Sequence, residues 1–138
     1  MAVDQALVDA AIGQALKRFP TGYAGAAAVR TETGAVLTSV SFDPPNTGAA
    51  LCHETGAFCE VNRIGASVVA SVCVSRSEAG RPFLILAPCG ICQERLALWG
   101  PNVEVAVAVP GKPGAWQSKR LADVQPHSWL NAVKDAGE

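Results

Sequence analysis

PFLILAPCGICQERLALW, residues 82–99, is the stretch whose reading decides the fold. Residues 82–87 form an apolar run of strand length, and Pro88-Cys89 stops it. From about Gly90 the pattern turns helical and runs to Trp99, where Gly100-Pro101 closes it. A strand that hands the chain directly to a helix is the building unit of an α/β sheet, and ligands in open α/β sheets bind outside the carboxyl ends of strands. Two thiols, Cys89 and Cys92, stand at that junction. Three positions apart at a helix start, they share one face and can bind one metal.

Working outward, residues 103–109 (VEVAVAV) read as a following strand and residues 67–75 (SVVASVCVS) as a preceding, buried one. Further back, helicity is expected from near Cys52 to about Ile64, closed by Gly65. Residues 23–30 and 35–42 flank Thr31-Glu32-Thr33-Gly34, a hairpin with glycine at the permissive turn position. The small residues Gly25 to Ala28 mark a strand that another element approaches closely. Residues 3–18 carry apolar positions at helical spacing and end at Phe19-Pro20-Thr21-Gly22. Pro110 to Pro113 read as a loop, and a short helix is expected after Pro126. The order α-β-β-α-β-α-β with a trailing helix predicts one domain over 1–138: a three-layer α/β/α fold on a mixed five-stranded sheet.

Composition fits a compact domain, with 49% apolar and 17% charged residues and a net charge of −1. Its basic residues are scattered, which argues against nucleic acid as partner. No apolar run has the length of a bilayer span, and residues 1–18 lack the pattern of a signal peptide, so no membrane association and a cytoplasmic location are expected. Five cysteines, an odd number, favour metal or catalytic use over a closed disulfide framework.

Alone, C-x-x-C also suits half a zinc ribbon, a redox dithiol or core cysteines. A ribbon needs a second such pair, which is missing. A thioredoxin-like dithiol is expected after a first strand, whereas this one follows the fourth. Cys52-His53-Glu54 tips the balance: three thiolates leave one zinc position vacant, and Glu54 stands where a carboxylate can face it.

The pairing of C-x-E with P-C-G-x-C resembles the zinc-dependent cytidine deaminases. The resemblance runs from about Ala24 to Trp129 and includes Gly25-Ala26-Ala27 and a tail, Pro126-His127-Ser128-Trp129, similar to the family's P-x-x-F. Cysteine rather than histidine at position 52 is similar to the small free-nucleoside and blasticidin S deaminases. The resemblance implies one zinc ion per chain held by Cys52, Cys89 and Cys92. It also implies Glu54 as the group that moves protons from water to the ring N3 and the leaving amine. The expected substrate is cytidine or deoxycytidine, with blasticidin S or another modified cytosine nucleoside as the alternative. A homo-oligomer, tetramer or dimer, is expected. A zinc-binding module without activity is the reading from another class, and Glu54 speaks against it.

The chain departs from the family pattern in places. The family carries arginine immediately after the glutamate and after the last cysteine, where this chain has Thr55 and Gln93. Arg95 is expected to compensate by donating to a zinc-bound thiolate. Ser41 and Asp43 stand at the positions of the family's sugar-gripping N-x-E, and Gly22 stands where the family has an aromatic. Trp129 takes the place of the tail aromatic that closes a pocket, with a packed tail helix as the alternative. His53 is not expected to be a ligand: it points away from the metal if its neighbours are helical, but it could contact substrate. Cys59 and Cys73 are expected to be core thiols, and Trp99 and Trp116 to serve packing.

Overall fold

The computed structural model of the protein describes residues 2–137. Helix α1 (Gln5–Arg18) is followed by the hairpin β1 (Ala24–Thr31) and β2 (Val36–Ser39). Helix α2 (Thr55–Arg63) leads to β3 (Val68–Arg76) and β4 (Leu84–Leu86), and α3 (Gly90–Leu96) leads to β5 (Glu104–Val109). A long strand β6 (Lys112–Arg120) and two short helices, α4 (Leu121–Val124) and α5 (Trp129–Asp135), complete the chain.

The sheet is mixed, but it has six strands and not five, in the order β2-β1-β3-β5-β6 with β4 also on β3. β6 is the strand the sequence concealed, because Pro113 and Gly114 read as a loop. It folds back antiparallel on β5 through a turn at Gly111 (φ +79°) and a register shift at Ala108/Val109. Glycine at Gly34 (φ +88°) makes the β1–β2 turn as expected.

The layers follow from strand alternation. On one face α1 sets Leu7, Val8 and Ala11 against Ala28, Val74 and Ala106. On the other, Phe58 and Val61 of α2 and Leu96 of α3 pack against Val29 and Val105. Neighbours in sequence on one strand (Ala28 and Val29, Val105 and Ala106) thus face opposite layers, as a period of two requires. Asp4 fastens the start of α1: its carboxylate accepts from the Leu7 N–H at 2.9 Å and pairs with Arg30 of β1 at 3.0 Å. The Leu7 N–H and Arg30 hold its pKa below the ordinary carboxylate range.

One edge of β3 changes partner partway along. Ala70 and Ser71 pair with β5 in parallel, whereas Cys73 to Ser75 pair with β4 antiparallel. Cys73 sits at this fork, and through Ala27 it shares a row with Ser39 of β2.

Candidate active site

Three short segments converge above the fork. The first, residues 52–54, is not helical: α2 begins at Thr55 with Glu54 as its N-cap residue, three residues later than the sequence suggested. The reason is a cap supplied from elsewhere. Glu54 makes no side-chain cap, and Ser39 of β2 takes over, its Oγ accepting from the Ala57 N–H at 3.0 Å and donating to the His53 carbonyl. Gly56 permits the approach, since a Cβ there would lie 3.0 Å from the Ser39 Cβ. Ser39→Ala removes both bonds and is expected to cost about 1–2 kcal/mol. A lowered urea midpoint with an unchanged m value is the measurement that checks it.

The second segment is the β4–α3 junction. Cys89 is the N-cap of α3, and its Sγ accepts weakly from the Cys92 N–H at 3.5 Å, which turns both sulfurs the same way. Cys52 Sγ lies 3.5 Å from Cys89 Sγ, and the sulfurs of Cys52, Cys89 and Cys92 all lie within 4.8 Å of one another. Burial pushes the Cys52 and Cys92 thiols up. At Cys89 burial acts in the same direction, but N–H groups of α3 and the neighbouring thiols outweigh it and bring the thiol below its ordinary value.

Glu54 is 4% exposed and lines the same cleft as Cys52 and Cys89, a volume of about 520 Å³. Cys73 and Leu86, paired across the fork, line it too. Burial, followed by the charge of Glu54, pushes the Cys73 thiol up, so it stays protonated. Ser41 and Asp43 also border the cleft, joined by a 2.6 Å hydrogen bond from the serine hydroxyl to Asp43 Oδ2.

No protein-family model and no curated protein sequence matches the chain. Solved structures do. The cytidine deaminase from Bacillus anthracis is 37% identical, with a TM-score of 0.88 over 96% of this chain and 93% of that one. The chain belongs to the cytidine deaminase family.

A mutant cytidine deaminase from Mycobacterium tuberculosis is 26% identical, with a TM-score of 0.70 over 92% of this chain and 95% of that one. The cytidine deaminase from Burkholderia pseudomallei, 22% identical over 92% of this chain and 99% of its own, shares the fold at a TM-score of 0.69. Membership places the protein among hydrolytic enzymes. No helix among the described residues is long and apolar enough to cross a membrane.

The surroundings of the cleft differ from the sequence expectation in several respects. Arg95 does not donate to a sulfur. Its Nη1 donates to the Thr55 hydroxyl at 2.7 Å, in a separate depression lined by Phe58, Cys59 and Trp99. Gln93, the other residue at a family arginine position, donates to the Pro88 carbonyl at 2.9 Å and steadies the turn into Cys89. Trp129 is absent from its own chain's cleft, and its indole N–H donates to Glu94 at 3.1 Å. Cys59 is exposed, not a core thiol, whereas Cys73 is buried as expected.

His53 stays out of the sulfur cluster, as expected, but it lines the cleft. Residues 52–54 form a turn ahead of the helix, closed by the Thr55 N–H on the Cys52 carbonyl, and from that turn the His53 ring reaches the cleft wall. There Nδ1 accepts from the Ser41 N–H at 3.1 Å and Nε2 meets the Tyr23 hydroxyl at 2.8 Å. Burial lowers the pKa of His53 and raises that of Tyr23, so both are held neutral. Gly25 makes the arrangement possible: a Cβ there would lie 2.5 Å from Tyr23 Oη and 2.7 Å from His53 Nε2. Tyr23, not the residue before it, supplies the aromatic at the entry to β1. The signal available in the sequence was a tyrosine followed two residues later by glycine in a strand of small residues.

Proposed function

We propose that the protein is a zinc-dependent hydrolytic deaminase of a cytosine nucleoside, cytidine or deoxycytidine, which yields the uracil nucleoside and ammonia. The observation that carries this reading is a buried carboxylate, Glu54, on one cleft with Cys52 and Cys89, whose sulfurs cluster with that of Cys92 beneath. Three soft donors within 4.8 Å of one another suit zinc, and among the described residues no fourth His, Cys, Asp or Glu joins the cluster. A closed structural site takes four protein ligands, so this donor set keeps a position for water. Zinc there supplies a water acidic enough to attack near neutral pH.

The remaining work falls to the chain's own residues. Glu54 accepts the proton of the attacking water and delivers it to ring N3, which makes C4 electrophilic. Once the water oxygen has bonded to C4, Glu54 takes the remaining proton of that hydroxyl and passes it to the amine, so that the C4–N bond breaks, ammonia leaves and the carbonyl forms. Its burial excludes the bulk water that would otherwise compete for those protons. Ser41 and Asp43 offer hydrogen bonds to the sugar. Arg95 acts through Thr55, bracing the residue after Glu54.

Asp43 favours a second reading, in which the substrate is a cytosine nucleoside with a modified or basic sugar portion, since a carboxylate at the cleft attracts such groups. A homo-oligomer is supported by two exposed apolar side chains, Ile91 on α3 and Leu98 in the turn just beyond it, 60% and 66% exposed. In that assembly Trp129, 59% exposed, would close a neighbouring copy's cleft.

The test is direct. Zinc-loaded protein offered a panel of aminopyrimidines is expected to release ammonia from cytidine or deoxycytidine, read by the coupled formation of the uracil product. Bound zinc with no turnover on any member would leave a zinc-binding module. Failure to bind zinc would remove the reading altogether.

A further inference from the structure

The polar wall of the cleft runs Tyr23–His53–Ser41–Asp43, each residue hydrogen-bonded to the next. The reacting carbon of a substrate must face Glu54 and the sulfurs, which leaves this wall for the rest of the molecule. The direction of the hydrogen bonds along it is fixed by one backbone group. The Ser41 N–H can only donate, so Nδ1 of His53 is its acceptor and carries no proton. With Nδ1 occupied as an acceptor, the ring's proton lies on Nε2, which donates to the Tyr23 oxygen. The phenolic proton of Tyr23 is thereby turned away from His53, and it has no acceptor among the described residues. Phe19, edge-on at 5.8 Å between ring centroids, holds the tyrosine ring, and Gly25 leaves the room described above.

From this relay we infer that Tyr23 is a specificity-determining residue, held by His53 as an obligatory hydrogen-bond donor to an oxygen of the substituent on N1 of the pyrimidine. The free carboxylate oxygen of Asp43 on the same wall adds an acceptor. A donor beside an acceptor suits an alcohol, which needs one of each. His53 acts through Tyr23 and is a positioning residue. The inference rests on the nucleoside reading of the site, and it assigns the residue that tells a nucleoside from a bare base.

The experiment uses zinc-loaded protein carrying Glu54→Gln, in which turnover is slowed so that binding can be read, with and without Tyr23→Phe. Titration calorimetry compares cytidine with N1-methylcytosine, which has the same ring and no sugar. Tyr23→Phe is expected to reduce the preference for cytidine by about three- to tenfold, the worth of one neutral hydrogen bond. In the otherwise native enzyme the change falls on KM for cytidine and not on kcat. Equal weakening of both ligands would place the phenol on the base and overturn the inference, as would an unchanged preference. If neither ligand binds, the nucleoside reading falls and the inference with it; if cytidine binds with no effect of Tyr23→Phe, the inference alone falls. The part played by His53 has its own readout. Nitrogen-15 NMR of the ligand-free protein is expected to show the proton on Nε2, and a proton on Nδ1 would overturn the relay.

Discussion

Glu54→Gln is expected to lower kcat by about 10²–10⁴-fold while the protein keeps its zinc. The substitution is nearly isosteric, which matters because Glu54 is 4% exposed and its backbone carbonyl accepts from the Phe58 N–H at 3.0 Å in the first turn of α2. An amide of the same size keeps the helix start and still hydrogen-bonds, but it cannot take a proton from water and pass it on. The loss therefore isolates proton transfer from folding and from metal binding. Metal analysis beside the rate measurement checks it. Full activity in this variant would remove Glu54 as the proton carrier, whereas loss of zinc along with activity would make it part of the metal site.

The other large effect is expected from Cys89→Ser. Cys89 is the N-cap of α3 and the thiol that the site holds most acidic, so it is the sulfur readiest to meet a cation as thiolate. Serine is a good N-cap and keeps the helix start, but its hydroxyl is a poor zinc donor at neutral pH. The variant is expected to fold, to retain far less than the wild type's zinc after dialysis, and to release ammonia no faster than metal-stripped enzyme. Cys59→Ser, at an exposed sulfur outside the cleft, serves as the control. Zinc retained in the Cys89 variant would mean that the three-sulfur cluster is not the metal site.

What could be read before the structure was known depended on the distance over which each feature is specified. The thiols and Glu54 were legible because each motif is local: a capping geometry brings Cys89 and Cys92 together, and Glu54 follows two residues after Cys52. The β-branched run of β3 and the alanine-rich α1 announced themselves in the same way. The wall of the cleft was not legible. Tyr23 and His53 are 30 residues apart, and their meeting depends on a glycine within β1 and on a helix that starts late. That late start is itself set by Ser39, a residue of another element. Arg95 was placed on the correct helix, but its partner is the Thr55 hydroxyl, a contact settled by packing between α2 and α3. β6 was hidden because Pro113 and Gly114 are poor strand formers, and an edge position on β5 tolerates them.

The fork in β3 bears on how the molecule breathes. β1 and β3 are matched over eight register positions, whereas β4 meets β3 over only three, Leu84 to Leu86. Opening free energies in a native protein scale with such local contact, so the central pair belongs with global unfolding and β4 with the smaller, more frequent excursions. Because β4 leads directly into Cys89, the segment that carries two of the three sulfurs is expected to open more often than the β1–β3 pair, which hydrogen exchange would show. A metal held by those sulfurs would then exchange with solution without global unfolding.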